Sequence, residues 1–309
     1  MVQVSIIIVN YNTKQLTINC INSIFKKTSD ITFEIILVDN ASTDGSVDFF
    51  SKDERIIFIS NSENVGFGRA NNIGLTQAKG KYLLFLNSDT ILIDNVIKEF
   101  YVFAEQHAHL NIGAIGGLLL SEDGNLNHSF GKFPSAYSVW YYFWDSILQK
   151  LKLTKGYQIN KQKQIEQENY QFVDYIAGAD LFVPASVLMK IGVFDPIFFM
   201  YYEETDLQKR MANQGLARIV INNHGIIHLE GASFDKTKQE TVTFSRYIFS
   251  HNSLFKYIKK HFTGLQYIGV RFTMFAMIVI RISIVFRKNF TFRERLIAYK
   301  QGIIANEVI

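Results

Sequence analysis

The 309-residue chain has one cysteine, Cys20, and three prolines. A single thiol excludes a disulfide framework and any metal site built from cysteines alone. So few prolines exclude collagen-like and proline-rich architecture. Charged residues make up 19% against 48% hydrophobic, which excludes a disordered chain. No internal repeat is found. The start, Met1-Val2-Gln3-Val4-Ser5, has no basic region, and the apolar run at 6–9 is too short for a signal-peptide core. The body is therefore expected to stay in the cytosol. Long uncharged apolar runs are missing too. Residues 265–286 are strongly apolar, but Arg271 and Arg281 leave nine residues between them. A spanning helix needs about 20.

At roughly 100–200 residues per domain, the chain has room for one large domain or two small ones. It can bury about three-quarters of its unfolded surface and needs no metal or disulfide staple to fold. The net charge of +4 is unevenly spread. Residues 256–300 carry ten Lys and Arg against one acid, Glu294, a net of +9. The rest carries 22 basic and 27 acidic residues, a net of −5. A mildly acidic body with a basic tail points to an anionic surface as the tail's partner.

Residues 4–9 form a β-branched run that reads as a buried parallel strand. Leu16, Cys20 and Ile24 then recur at helical spacing, with Asn12 or Thr13 as N-cap. Further strands read at 33–38, 56–59, 82–86 and 112–120, and helices at 68–78 and around Val96, Ile97, Phe100 and Phe103. This alternation predicts an α/β fold with a mostly parallel sheet covered on both faces. Ligands bind such sheets beyond the carboxyl ends of the strands. Three short polar sets stand there: Asn10-Tyr11-Asn12, Asp39-Asn40-Ala41-Ser42 and Asn87-Ser88-Asp89. One such set reads equally as turn and capping chemistry. Three at one sheet edge point to a ligand.

Residues 133–144 are unusually aromatic. Residues 149–171 are rich in Lys, Gln and Asn and predict a mobile insertion, with Trp140 and Trp144 packed at its base. Strand, turn and strand follow at 172–183 around Gly178, then helices at 187–191 and 205–214 and strands at 217–221 and 225–229. From about residue 236 the chain is helical in character and basic.

Asp89, after a buried strand, can bind a hard divalent cation, with Asn87 and Ser88 adding neutral oxygens. A strand-ending Asp also commonly caps the next helix. Glu203, Glu204 and Asp206 place three carboxylates in four residues where a helix begins. The helix dipole favours acids there. The apolar lead-in at 194–200 adds walls that would raise a carboxylate's pKa and suit a general base. His228 gains a role beyond structure if it converges with Asp89 in space. Gly66-Phe67-Gly68-Arg69 lacks the third glycine of a dinucleotide loop, since Asn71 stands there, so that reading is rejected.

Residues 4–12 (VSIIIVNYN), 37–46 (LVDNASTDGS), 64–74 (NVGFGRANNIG) and 84–90 (LFLNSDT), with Gly178-Ala179 and 198–207 (FFMYYEETDL), follow one another in a familiar order. Together they resemble a family 2 glycosyltransferase, and the likeness is greatest to its bacterial rhamnosyltransferase-like branch. The resemblance covers roughly residues 3–235. It implies a GT-A fold, with a nucleotide-sugar-binding half at 1–120, an acceptor half at 121–235, and a helical extension at 236–309. It also implies a nucleoside-diphosphate-sugar donor, with rhamnose suggested by the branch, a saccharide or lipid-linked saccharide acceptor, and inversion at the anomeric carbon. Surface polysaccharide synthesis is the implied setting.

Carried over by residue, Asp39 contacts the nucleobase or ribose with Asn10 and Asn12 beside it. Gly66, Arg69, Asn87, Ser88, Gly178, Ala179 and Asp180 join the donor-binding set. Asn87-Ser88-Asp89 stands where the family has Asp-x-Asp. Asp89 thus becomes the principal ligand of Mn²⁺ or Mg²⁺, and His228 a second. Glu203-Glu204 stands at the family's catalytic pair, so Glu204 inherits the base, with Glu203 and Asp206 as alternatives. Two other classes fit part of the pattern: a non-catalytic binding module on the same fold, and a nucleotidyltransferase. The retained acids oppose the first. The second normally has a Gly-rich basic loop after strand one, which residues 10–13 do not form.

No nucleic-acid partner is expected. The two arginines within 265–286 favour a helix lying in a membrane interface over one that spans. The alternative is packing on the catalytic body or on a second subunit, as a homodimer. The membrane reading places the enzyme peripherally on the inner face of the plasma membrane.

Overall fold

The computed structural model describes residues 2–150, 169–229 and 239–284, with Ile297 and Lys300. The chain divides into two compact units. One comprises Met1–Lys132 with Ile165–Lys236, the other Phe133–Gln164 with Thr237–Ile309.

The first unit begins β1 (Val4–Asn10), α1 (Lys14–Lys27), β2 (Phe33–Asp39), α2 (Ser46–Phe50), β3 (Ile57–Ser60), α3 (Phe67–Leu75) and β4 (Tyr82–Asn87). It continues with β5 (Thr90–Leu92), α4 (Val96–Gln106), β6 (Ile112–Leu120) and β7 (Phe130–Gly131). After α5 (Ala136–Lys150), which belongs to the second unit, come β8 (Tyr170–Phe172), β9 (Tyr175–Ile176) and β10 (Asp180–Pro184). The unit closes with α6 (Ala185–Ile191), α7 (Glu203–Asn213) and β11 (Ala217–His228).

Among the described residues the main sheet runs β3-β2-β1-β4-β10-β6-β11-β5, with β8 added on β11. Strands β3 to β4 are parallel to one another, and β11 is parallel to β6. β10 runs antiparallel between β4 and β6. The α/β expectation holds, with this reversed strand inside it.

Period-two alternation buries both faces. Val4, Ile6 and Ile8 of β1 pack with Cys20, Ile21 and Ile24 of α1 and with Phe100 of α4. Ile7 and Val9 face the opposite way, into a cluster with Ala70 of α3 and Leu207 and Met211 of α7. Truncating one such side chain, as in Ile7→Ala, costs about 2–5 kcal/mol.

Local details depart from the sequence reading for definable reasons. The segments read as two strands at 217–221 and 225–229 are one strand, with a register shift between Ile221 and Gly225. A bulge there absorbs the polar interruption without ending the strand. Thr13 is the N-cap residue of α1, its carbonyl accepting the Thr17 N–H at 2.9 Å, but its side chain makes no capping bond, and Asp44 Oδ2 accepts the Lys14 N–H at 2.9 Å.

In the second unit, α8 (Gln239–His261) and α9 (Gly264–Ile284) are joined by α5. Phe255, Ile258, Val270 and Met274 form its core, with Ala136 and Val139 packed on it. Trp140 and Trp144, expected at the base of the 149–171 insertion, are partly exposed on α5. Of the stretch expected to be mobile, 151–168 lies outside the described residues, while Tyr170 and Gln171 belong to β8.

Candidate active site

The parallel register sets Asn10 opposite Asp39 and Val9 opposite Asn87. All three polar loops therefore leave the sheet along one line. The Asn10 amide donates to Asp39 Oδ2 at 2.6 Å and to Ser42 Oγ at 3.0 Å. Asn10 Oδ1 accepts from Thr13 Oγ1 at 2.7 Å and Thr17 Oγ1 at 2.9 Å. Every hydrogen-bonding capacity of this side chain is used. Asp39 Oδ1 accepts the Ser42 N–H at 2.8 Å, and Thr13 Oγ1 lies 3.1 Å from Ser88 Oγ. Asn10 and Asp39 are fully buried. Above them Asn12 adopts a left-handed backbone, which asparagine tolerates, and its Oδ1 accepts the Thr43 N–H at 2.7 Å.

Beyond Asn87 the chain turns through Ser88 and Asp89 into β5. That strand pairs with the end of β11, Thr90 opposite His228. Leu229 N–H donates to the Asp89 carbonyl at 2.9 Å. The pairing brings His228 Nε2 to 3.2 Å from Asp89 Oδ1 and 3.5 Å from Asn87 Nδ2. The convergence required of His228 is thus present. Neighbouring ligands of a six-coordinate Mg²⁺, with bonds of roughly 2.1 Å, stand about 3 Å apart. Asp89 and His228 fit one such ion. Among the described residues no cluster of three or more His, Cys, Asp or Glu is placed to hold a metal. The remaining ligands would come from water and substrate oxygens, the usual habit of Mg²⁺.

The start of α7 is strained. Tyr201 and Tyr202 are both left-handed, with φ of 69° and 66°. That conformation costs roughly 1–2 kcal/mol per residue. Glu203 is buried and its Oε2 has no hydrogen-bond partner. Burial, and then the Glu204 charge, hold its pKa well above the usual carboxylate range. Glu204 is partly exposed. Burial raises its pKa as well, opposed by its own N–H and by the Thr205 hydroxyl, which donates to Oε1 at 3.1 Å. Burial and the Glu204 charge push the Tyr202 phenol up to about 12.

Asp206 is fully buried and accepts from Arg210 Nε at 3.0 Å. Arg210 also holds the carbonyls of Ile191 and Val193, each at 2.7 Å. Asp206 is therefore part of a clamp between α7 and the end of α6.

Gly178 and Ala179 join these regions. A Cβ on Gly178 would stand 3.2 Å from Glu204 Cγ, and Ala179 O accepts the Asn87 N–H at 2.9 Å. Asp180 is fully buried, with Oδ2 on the Gly117 N–H and Oδ1 without a hydrogen-bond partner. Burial raises its pKa well above the ordinary value, against the pull of that N–H.

Helix α3 holds the segment leading into α7. Phe67 N–H donates to Phe199 O and Arg69 Nε to Pro196 O, both at 2.8 Å. Asn72 donates to Phe194 O at 2.7 Å and accepts the Phe194 N–H at 3.2 Å. Gly66 has a φ of 90°, and a Cβ there would lie 2.4 Å from Phe199 O, so only glycine fits. The structure thus sets Gly66 and Arg69 against the acidic turn's lead-in. Asn72 was missed in the sequence. Its signal was an asparagine pair, Asn71-Asn72, in mid-helix, where such side chains usually serve the backbone.

The family model for glycosyl transferase family 2 matches residues 5–162, half of the chain. The chain belongs to glycosyl transferase family 2. The matched segment contains the Asn10–Asp39 network and Asp89, whereas Glu203, Glu204 and His228 lie beyond it. The chain is similar to the glycosyltransferase GlyG of Streptococcus pneumoniae serotype 4, with 34% identity over 102 residues. That match spans 32% of this chain and only 34% of that protein. The low-salt glycan biosynthesis hexosyltransferase Agl10 of Haloferax volcanii is 25% identical over 288 residues, 90% of this chain and 83% of its own. Among solved structures, the chain resembles a mannosyltransferase from Pyrobaculum calidifontis in complex with GDP-Man and Mn²⁺. The TM-score is 0.54 at 13% identity, covering 99% of this chain and 74% of that one. It also resembles GalNAc-T7 with UDP, GalNAc and Mn²⁺, with a TM-score of 0.60 at 15% identity, covering 99% and 55%. These likenesses establish the GT-A fold for this family 2 glycosyltransferase.

Proposed function

We propose that the first unit is an inverting, metal-dependent glycosyltransferase that moves a sugar from a nucleoside-diphosphate donor to an acceptor hydroxyl. The observation that carries this reading is the convergence of Asn87, His228 and Asp89, with Ala179 bonded to Asn87 and Glu204 packed so close to Gly178 that a side chain there would meet it. This supports a proton acceptor working beside a corner that would handle the diphosphate.

Glu204 takes the proton from the acceptor hydroxyl. Its raised pKa brings its basicity nearer neutral pH, where a general base works best. The freed oxygen bonds to the donor's anomeric carbon as the bond to the diphosphate oxygen breaks, and the carbon inverts in one displacement. Glu203, buried beside it with a raised pKa, resists placing a second negative charge against the base. A divalent cation, Mn²⁺ or Mg²⁺, held by Asp89 and His228 with Asn87 alongside, would supply positive charge against the leaving diphosphate. Asp39 and Asn10 act from beneath, ordering the loops at 11–13 and 40–44 that receive the nucleoside. Ser88 is tied into that support through Thr13. Asp206 keeps the end of α6 in place.

Catalysis is assigned to residues 1–235, less the 133–164 segment of the second unit, with the nucleotide side at 1–120. Rhamnose is the proposed sugar, on sequence likeness. The proposed acceptor is a saccharide or lipid-linked saccharide of a cell-surface polymer. A relative named for glycosylating a polymer is the poly(ribitol-phosphate) beta-glucosyltransferase of Bacillus spizizenii, 32% identical over 123 residues, 38% of this chain and 19% of that protein. The second unit would hold the enzyme on the inner face of the membrane. No helix among the described residues is long and apolar enough to cross one.

The test is transfer by the full chain from GDP-, UDP- and dTDP-linked sugars, rhamnose included, with Mn²⁺ or Mg²⁺, to free and lipid-linked saccharides. Product anomers are read by NMR. Inverted product with one donor is expected. Retained configuration, or no transfer from any donor, would overturn the proposal.

A further inference from the structure

We propose that the second unit docks on an anionic lipid surface through two helices, with the aromatic stripe of α5 entering the headgroup layer along with α9. This rests on the peripheral-membrane reading above and adds to it a segment from the middle of the chain.

Charge is segregated by unit. The stretches forming the second unit contain 17 Lys and Arg against four acids, Asp145, Glu240, Glu294 and Glu307, a net of +13. The first unit has the remaining 15 basic and 24 acidic residues, a net of −9. The α5 segment contributes here, since 133–164 alone carries five lysines and one acid.

Both helices expose large apolar side chains at helical spacing. On α5, Tyr137, Trp140 and Trp144 are 70%, 50% and 42% exposed. On α9, Leu265, Ile268 and Phe272 are 85%, 63% and 73% exposed. Among the described residues the unit's core is formed without them, by Ala136, Val139, Val270 and Met274 with Phe255 and Ile258. Such a concentration of exposed apolar side chains marks an interaction surface.

The composition of the stripe selects the occupant. Tyr and Trp have apolar rings with a polar handle and settle at the headgroup level of a bilayer. Arg271, between Ile268 and Phe272, lies over the Tyr267 ring at 5.3 Å and can reach out to phosphates while its stem stays on apolar surface. A second copy of the chain is disfavoured, because it would bring another unit of +13 against the first. An anionic bilayer satisfies the charge and the apolar stripe together.

The chain's two tryptophans are both on α5, so intrinsic fluorescence reports on that helix alone. The full chain is mixed with phosphatidylcholine vesicles, with and without phosphatidylglycerol, at low and high salt. With phosphatidylglycerol at low salt, a blue-shifted emission that brominated acyl chains quench is expected. High salt or plain phosphatidylcholine should weaken it. In co-sedimentation the double variant Tyr137→Ala/Trp140→Ala should lose about tenfold in vesicle affinity. Its melting temperature and its turnover on a soluble acceptor should be kept. Leu265→Ser/Phe272→Ser should lose a similar amount.

If the full chain sediments with vesicles but its tryptophans neither shift nor are quenched, α5 stays out of the membrane. The proposal then fails while the membrane reading stands. If the full chain does not bind vesicles, both fail. A lipid-free dimer that Tyr137→Ala/Trp140→Ala dissociates would make the stripe an interface between copies and overturn the proposal.

Discussion

At the β1–β2 edge, Asn10 spends both amide hydrogens and both carbonyl lone pairs on Asp39, Ser42, Thr13 and Thr17. At the start of α7, Glu203 is also buried but leaves Oε2 without a hydrogen-bond partner, behind two left-handed tyrosines. Both regions are polar and buried, yet their energetics are opposite. A saturated network is stabilising and rigid. A buried carboxyl short of partners is destabilised in its charged form and holds its proton. The difference teaches how one edge of the sheet can be rigid and saturated while the turn into α7 carries strain, at a cost of about 1–2 kcal/mol per left-handed tyrosine, as the proposed division between donor cradle and general base requires.

The sharpest way to break this contrast is Glu204→Gln. It keeps shape and removes the proton acceptor, so turnover should fall about 10²–10⁴-fold while donor binding is kept. If Glu203→Gln is the dead variant and Glu204→Gln turns over, the deeply buried residue is the base and the contrast is misassigned. The same base predicts an acid limb in the pH–rate profile displaced upward from that of an ordinary glutamate, following the direction of its shift.

Next comes the corner that links the two regions. Asp89→Ala should abolish divalent-dependent transfer in a folded protein, and chelation should do the same to the wild type, with Mn²⁺ restoring it. His228→Ala should lose less, because a carboxylate is the stronger ligand for a hard cation. Full turnover in the presence of excess chelator would detach this pair from the chemistry.

The third test moves from rate to stability. Asn10→Ala removes four hydrogen bonds at once and should destabilise the fold by roughly 2–4 kcal/mol, measured by denaturant unfolding. Unchanged stability would mean the network is ornamental and the contrast empty.

The smallest effect has the opposite sign. Glu203→Gln should stabilise the protein at neutral pH. A carboxyl whose folded pKa is raised binds more protons in the folded state than in the unfolded one. Its wild-type penalty therefore begins near the unfolded pKa and grows as pH rises toward the folded one. The variant's advantage in melting temperature should widen over that same range. An advantage that is flat or shrinks with pH would show that Glu203 is charged in the fold.

Much of this was legible in the residues. Continuous apolar runs at 4–9, 33–38, 82–86 and 112–120 all proved to be strands, because a strand buried on both faces has few other ways to be written. The polar sets after β1, β2 and β4 align because parallel neighbours in one sheet end at the same edge. The reversed direction of β10 was not legible, since period and composition are the same for either direction. Asn72's hold on Phe194 was hidden because it joins positions far apart in the chain. The partnership of α5 with α8 and α9 was hidden for the same reason. An aromatic helix does not announce which distant helix will cover its other face.

By itself, then, the sequence determined the α/β class, the polar sheet edge, the acidic helix start and the basic, apolar C-terminal segment. All are written in local pattern and composition. Tertiary structure alone decided that His228 meets Asp89, through the pairing of β5 with β11. It alone decided that Glu203 is buried, that Glu204 is partly exposed and that Asp206 is committed to Arg210. Three carboxylates in four residues are chemically equivalent until the packing around α7 gives each a different exposure and a different partner.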